Sequence, residues 1–423
     1  MLTGVNRNLD SNTDSYLRRS AYTGGLDLRK RLFDKRYEIA ANLSGSAIYG
    51  TTTAIANTQL DGVHRYQRPD DNVEFDPNRT SLTGDAERLT VSKFGGGITR
   101  FQSVFQRFSP GFESNDLGFQ SRADEQMFRN WFSLNFNNPT KAFTRAFFNF
   151  NSMQKWTTEG LPTTVGVNIN WHVQLPNWMW GHLGGNLNDF TKVYADREAR
   201  GGPAFRKSTE REGWAGLESD SRKAWYVSMF AGGWGGDEGH SHGWWINPGG
   251  QFRLSSRFNA SFGLNYGHDL NDKQWVTNFG TAGNDTTHYT FARLDQKTID
   301  LTTRINFTMT PSLSLQFYGE PFASSGSYSN WRELNNARAD KYADRFKSYA
   351  GDPGGFRFKE FHSNTVLRWE YKPGSTMFLV WAQGRQDAGD FVNDFSVRRD
   401  FQDIFRQHPN NTLLLKISYW INP

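Results

Sequence analysis

From Val165 to Leu175 every second residue is apolar: Val165, Val167, Ile169, Trp171, Val173 and Leu175, with Thr164, Gly166, Asn168, Asn170, His172 and Gln174 between them. Side chains on a β-strand alternate between faces, so this spacing predicts a strand with one apolar and one polar wall. The pattern returns at Phe258, Ala260, Phe262, Leu264 and Tyr266, again from Leu301 to Met309, and last at Leu413, Leu415, Ile417, Tyr419 and Ile421. Helical periodicity is scarce. The stretch STMFLVWAQG (375–384) is apolar on both faces.

The connections carry a second pattern. Tight breaks built from turn-forming residues fall at 33–35, 95–97, 137–140, 176–177, 220–223, 254–257, 310–312 and 372–375. Longer polar connections lie between them, at 51–86, 109–124, 156–162, 193–210, 235–242, 271–287, 325–355 and 387–410. Short and long alternate throughout, which is the habit of outer-membrane barrels, with tight periplasmic turns and extended surface loops. A sandwich crosses between sheets at both ends, and a propeller repeats a blade motif that is not found here. Seventeen strand-like segments follow residue 20, and MLTGVNR supplies the tail of one more. The fold expected is all-β: a closed, antiparallel, transmembrane outer-membrane β-barrel of about 18 strands, filling residues 1–423 as one domain. The 325–355 connection holds the best helical candidate and is expected to fold into the mouth as a constriction or lid.

Composition fits that fold better than a soluble one. Mean hydropathy is −0.70, yet 15% of residues are aromatic and 41 are Gly, too aromatic for a disordered chain. In a barrel only alternate residues meet lipid, so average hydropathy stays low. The charge of +5 is scattered rather than gathered in a stripe, which argues against nucleic acid as a partner. The absence of Cys excludes thiol chemistry and Cys-ligated metals. There is no apolar run long enough for a membrane helix and no visible leader in MLTGVNRNLD. The chain is therefore expected to be the later part of a longer one, its leader and first strands lying upstream. Arg304 and Arg368 alternate with apolar neighbours, and an arginine at mid-bilayer costs about 2–4 kcal/mol. Glu38, His172, Arg304, Arg368, Glu370 and Lys416 are accordingly expected to line a wet lumen. Trp178, Trp180, Trp244, Trp245, Tyr371, Trp381 and Tyr419 suit interfacial girdles.

Several blocks resemble a family of bacterial outer-membrane barrels of unknown function, usually named carbohydrate-binding-family-nine-domain-containing proteins. They are AYTGGLDLRKRL (21–32), SPGFESNDLGFQSRAD (109–124), RGGPAFR (200–206), VLRWEYKPGSTMFLVWAQGR (366–385) and NTLLLKISYW (411–420). The resemblance implies a leader and a carbohydrate-binding-like sandwich ahead of the barrel, and it brings no catalytic residues. The last strand also resembles the signal read by the outer-membrane assembly machinery, although it ends Trp420-Ile421-Asn422-Pro423 rather than on an aromatic.

Candidate chemistry is sparse. Asp237, Glu238, His240 and His242 share one Gly-flanked loop, and Asp70, Asp71, Glu74 and Asp76 another, but neither has the spacing of a standard metal site. No nucleophile elbow or zinc-protease helix occurs. His172 alone has the position of a general base for an embedded hydrolase. The expectation is a non-enzymatic outer-membrane pore or transporter for small or glycan-related solutes, without cofactor. The alternative is a plugged barrel whose loops bind a surface protein or polysaccharide, and a membrane-embedded hydrolase comes third. The partners expected are outer-membrane lipid, the assembly machinery and a possible glycan or small solute.

Overall fold

A computed structural model describes residues 1–280, 287–388 and 395–421. Strands β1 (Leu2–Asn6), β2 (Ser20–Leu32), β3 (Tyr37–Tyr49), β4 (Ser81–Lys93), β5 (Thr99–Phe108), β6 (Glu125–Phe136), β7 (Arg145–Trp156), β8 (Pro162–Gln174) and β9 (Trp180–Asn188) follow one another as antiparallel neighbours. The small ribbon β10 (Tyr194–Ala195) and β11 (Phe205–Arg206) stands apart in the next loop. The sheet resumes with β12 (Glu210–Glu218), β13 (Trp225–Gly236), β14 (Ser241–Ser255), β15 (Phe258–Phe279), β16 (His288–Thr310) and β17 (Leu313–Leu334). After the three-residue β18 (Phe346–Ser348), paired to the end of β17, come β19 (Gly355–Lys372), β20 (Ser375–Asp387) and β21 (Asn410–Ser418). Of the nineteen strands in this sheet, all but β18 form one wall in chain order. Two short helices, α1 (Thr52–Leu60) and α2 (Val397–Arg406), complete the chain. Neither is long and apolar enough to cross a membrane.

The turns fall where turn formers stand. The β2–β3 turn uses left-handed backbone at Phe33, Asp34 and Lys35, and β14–β15, β16–β17 and β19–β20 join through two residues each. The long connections all lie at the other end. Parts of two expected loops, 281–286 and 389–394, and the terminal 422–423 fall outside the described residues.

The apolar face is bare. Leu26, Leu28, Ile169, Leu183, Leu217 and Leu413 are each at least half exposed, so this wall is not packed against another layer of the protein. Buried apolar residues instead gather in two clusters at the loop end, one around Phe205 and Phe291 and one around Ile48 and Ile55.

Closure of the barrel is corrected by the ladder. Among the described residues β1 and β21 are free edges of the sheet. β1 has five residues and covers only Ser20–Gly24 of β2, too short a ladder to receive the nine residues of β21. The wall nevertheless curls, as its loops show below. Three further expectations change. The last strand stops at Ser418. Trp180 and Trp245 stand on the polar face, in register with Gln174 and with Gly232. The helical part of the 335–354 connection is a single 3-10 turn, Tyr342–Arg345, while helices form at 52–60 and 397–406.

Candidate polar face and loop cap

Register carries one face across the wall from β3 to β19. Starting from Glu38 it passes Ser92, Gln102, Trp131, Asn151, Asn168, Asn186 and Glu212. It continues through Trp234, Gly243, Asp269, Gln296, Gly326 and Phe356. Neighbouring strands here exchange amide hydrogen bonds: Asn149 Nδ2 donates to Asn170 (2.8 Å), Asn151 to Asn168 (2.8 Å) and Asn168 to Asn186 (2.6 Å). Trp131 Nε1 joins at Asn149 (3.0 Å). This ladder floors a cavity of about 370 Å³ walled by Gln102, Arg129, Trp131, Met153 and Asn188. Further round, aromatic rings lie flat over glycines: a Cβ on Gly184 would stand 2.5 Å from Trp214, and one on Gly232 2.6 Å from Trp245. Rings held flat against the strands widen the space this face encloses.

The loop end is covered. Ile55 of α1 and Tyr66 pack on Ala21, Ile48 and Leu82, which belong to the polar face, so the β3–β4 loop (50–80) folds inward. Arg197 in the β9–β12 loop (189–209) donates to Gly62 O (2.8 Å) and Val63 O (2.6 Å), and to Ala123 O (2.8 Å) of the β5–β6 loop. Asp70 accepts from Ala204 N–H (3.1 Å) and from Arg338 of the β17–β19 loop (335–354). Arg206 N–H donates to Ala337 O (2.8 Å), and Arg345 to Ser208 Oγ (2.8 Å). The β3–β4, β9–β12 and β17–β19 loops follow the third, ninth and fifteenth strands of the wall. Six strands span roughly 29 Å along a sheet. Loops rooted that far apart meet pairwise only because the wall is curled and its mouth bridged.

Buried ion pairs hold the bridge. Arg68, 5% exposed, lies 2.8 Å from Asp71, 3.2 Å from Asp70 and 3.6 Å from Asp196. Arg122 grips Asp196 through two bonds of 3.2 and 2.7 Å. Burial pulls the Arg197 guanidinium down to about 10 and pushes the Asp71 carboxyl up to about 6, against the lowering pull of Arg68.

A model described as a domain of unknown function matches residues 33–422. The chain belongs to the DUF5916 family. The carbohydrate-binding name expected from the sequence blocks is not part of that description. No curated protein sequence matches this DUF5916 chain significantly. Among solved structures it is similar to the siderophore receptor PirA from Acinetobacter baumannii, with 8% identity, a TM-score of 0.43 and coverage of 94% of this chain and 70% of that one.

In this DUF5916 chain Glu38, His172, Arg304, Arg368, Glu370 and Lys416 all share the polar face. Only Arg368 and Glu370 touch each other (3.3 Å). Glu38 pairs with Arg31 (3.0 Å), Arg304 lies over Tyr318, and Lys416 faces Phe378 across the ladder. His172 Nδ1 meets His182 Nδ1 at 2.7 Å while its Nε2 meets Asn170 at 2.9 Å. The two candidate metal loops are tied up by cations. Asp237 pairs with Lys273 (2.8 Å), and Asp70 and Asp71 with Arg68. The asparagine ladder was visible as the polar half of the alternation, but its continuity across strands needs register, and the cap pairings need the loops placed.

Proposed function

We propose that the chain is an outer-membrane β-barrel that transports or binds a small polar solute beneath a movable cap. The observation that carries this is the meeting of three loops from thirds of the wall over a face lined with amides, aromatics and charges. The bare apolar face supports a lipid surround: each Leu or Ile taken out of water gains roughly 1.5–3 kcal/mol. The carboxamides offer matched donors and acceptors to neutral hydroxyl-bearing solutes, which is compatible with a glycan-related cargo.

The test pairs insertion with flux. Protein folded in detergent is added to planar bilayers and to liposomes loaded with neutral oligosaccharides. The expected result is insertion with little steady conductance, and solute release that rises when cap pairs are cut. Failure to insert would remove the membrane reading, and a wide, constant conductance in the intact protein would remove the cap as a barrier. The second reading is a surface-binding platform, favoured by how tightly the cap is knit; it gains if a cap-severed barrel still passes no solute. A hydrolase centred on His172 is the weaker reading, since both its ring nitrogens are engaged by His182 and Asn170.

A further inference from the structure

Asp61, His64 and Glu113 bring one ligand atom each within 4.8 Å of one another inside the cap. Asp61 closes α1, His64 follows in the same loop, and Glu113 comes from the β5–β6 loop (109–124). The His64 and Glu113 side chains are fully buried. His64 Nδ1 stands 3.2 Å from Asp61 Oδ1 and 3.8 Å from Glu113 Oε2.

Glu113 is held in place from its other side. Its backbone N–H donates to Ser46 Oγ (2.9 Å) on the polar face, and its Oε1 accepts from Asn115 N–H (2.6 Å) with Arg18 at 3.4 Å. That leaves Oε2 turned toward His64 with no hydrogen-bond partner. A buried carboxylate oxygen without a partner is costly. The ordinary account, an imidazole Nδ1–H given to Asp61, leaves both Glu113 Oε2 and His64 Nε2 without a hydrogen-bond partner.

We propose that Asp61, His64 and Glu113 bind one divalent transition-metal ion of the Zn²⁺ or Mn²⁺ class. Such ions bond to imidazole nitrogen and carboxylate oxygen at about 2.0–2.2 Å, which sets neighbouring ligand atoms on the order of 3–3.6 Å apart. The His64–Asp61 separation of 3.2 Å falls in that range, the His64–Glu113 separation of 3.8 Å lies just beyond it, and all three atoms stay within 4.8 Å of one another, so a small inward shift closes the set around an ion. One imidazole with two carboxylates favours this class over Ca²⁺ or Mg²⁺, which take oxygen ligands. Three protein ligands leave a position for water, and Asp61, whose side chain is 35% exposed, lies on the open side. The ion would join the β3–β4 and β5–β6 loops beside the Arg197 contacts, at the hub of the cap. The inference stands on the cap geometry alone and does not require a membrane around the wall.

The test uses the full chain folded in detergent and stripped with EDTA. Calorimetric titration and elemental analysis are run with ZnCl₂, MnCl₂, CaCl₂ and MgCl₂ in turn. The expected result is one Zn²⁺ or Mn²⁺ per chain, with affinity lowered at least about tenfold in Glu113→Gln and in His64→Ala. Heat-modifiable gel mobility verifies that both variants remain folded. Amide exchange in residues 60–66 is expected to slow with the ion in the natural protein and to be unmoved in Glu113→Gln. No saturable uptake by the folded chain, equal affinity in both variants, or binding of Ca²⁺ alone would each overturn the assignment. So would titration of His64 with no ion taken up, which makes the trio a proton site.

Discussion

Arg68 offers the sharpest perturbation of the cap. Its guanidinium is nearly out of reach of water and stands within 3.6 Å of three carboxylates, those of Asp70, Asp71 and Asp196. Arg68→Ala removes the cation and strands Asp71 and Asp196, whose side chains are 7% and 6% exposed. Breaking a buried pair from one side costs about 3–5 kcal/mol. Part is recovered, because Arg122 still holds Asp196 and Asp71 has room to take a proton, so the lower figure is the one to expect. With 1.4 kcal/mol per tenfold, about 3 kcal/mol raises the open population of the cap by roughly a hundredfold. Hydrogen exchange of residues 50–80 in the folded, detergent-solubilised protein reads this directly, with the amides of β6–β8 as internal reference. Arg68→Lys keeps a charge but loses the fork and is expected to fall between the two. If cap exchange in Arg68→Ala stays within about threefold of the natural protein while the reference is unchanged, the pairs do not hold the loops and the reasoning fails.

Ile55→Ala removes buried volume between α1 and the polar face, where Ile55 is fully buried; it is expected to weaken cap closure by about 2–5 kcal/mol, seen as faster cleavage of the 50–80 loop by protease. Ile169→Arg, on the bare face, is expected to cost about 2–4 kcal/mol in bilayer-folding titrations, whereas Gln102→Arg on the opposite face stays within about 0.5 kcal/mol; equal costs would undo the assignment of faces. Asp71, pushed up to about 6 by burial, binds a proton in the closed cap that it releases when the loop swings into water. Its contribution is complete below the ordinary carboxylate pKa of about 4 and is lost as pH rises through about 6. Cap exchange should therefore quicken between pH 5 and 7.5, and Asp71→Asn should flatten that dependence.

Strand spacing and turn positions were legible because they answer to local rules: alternation for the faces, and Gly, Asn, Asp and Pro at tight turns. The strand ends were not. The connections expected at 271–287 and 325–355 continue as strand to Phe279 and Leu334, with Thr290 still opposite Glu333. Past the bare apolar belt both faces meet polar surroundings, so the hydropathy alternation stops while the backbone ladder runs on. α1 has an N-cap, Thr51, whose side chain accepts from Ala54 N–H (3.2 Å), but no strong apolar stripe to announce it. Asp61, His64 and Glu113 sat in two segments read as ordinary polar loops; only the fold brings them together. The open edge at β1 and β21 was likewise invisible, since strand counting says nothing about which edges meet.

The second helix has a consequence for how the wall sits. α2 lies on the apolar side: Asp400 and Asp403 turn toward Arg357 and Lys359 of β19, and Phe405 rests on Phe361. Arg398 and Arg406 are left facing outward. Guanidiniums avoid hydrocarbon and settle among headgroups, so in the membrane setting proposed above α2 would draw a waterline on this flank. The row of Tyr266, Ile299, Ala323 and Lys359 beneath it would then mark how high the oily layer can climb.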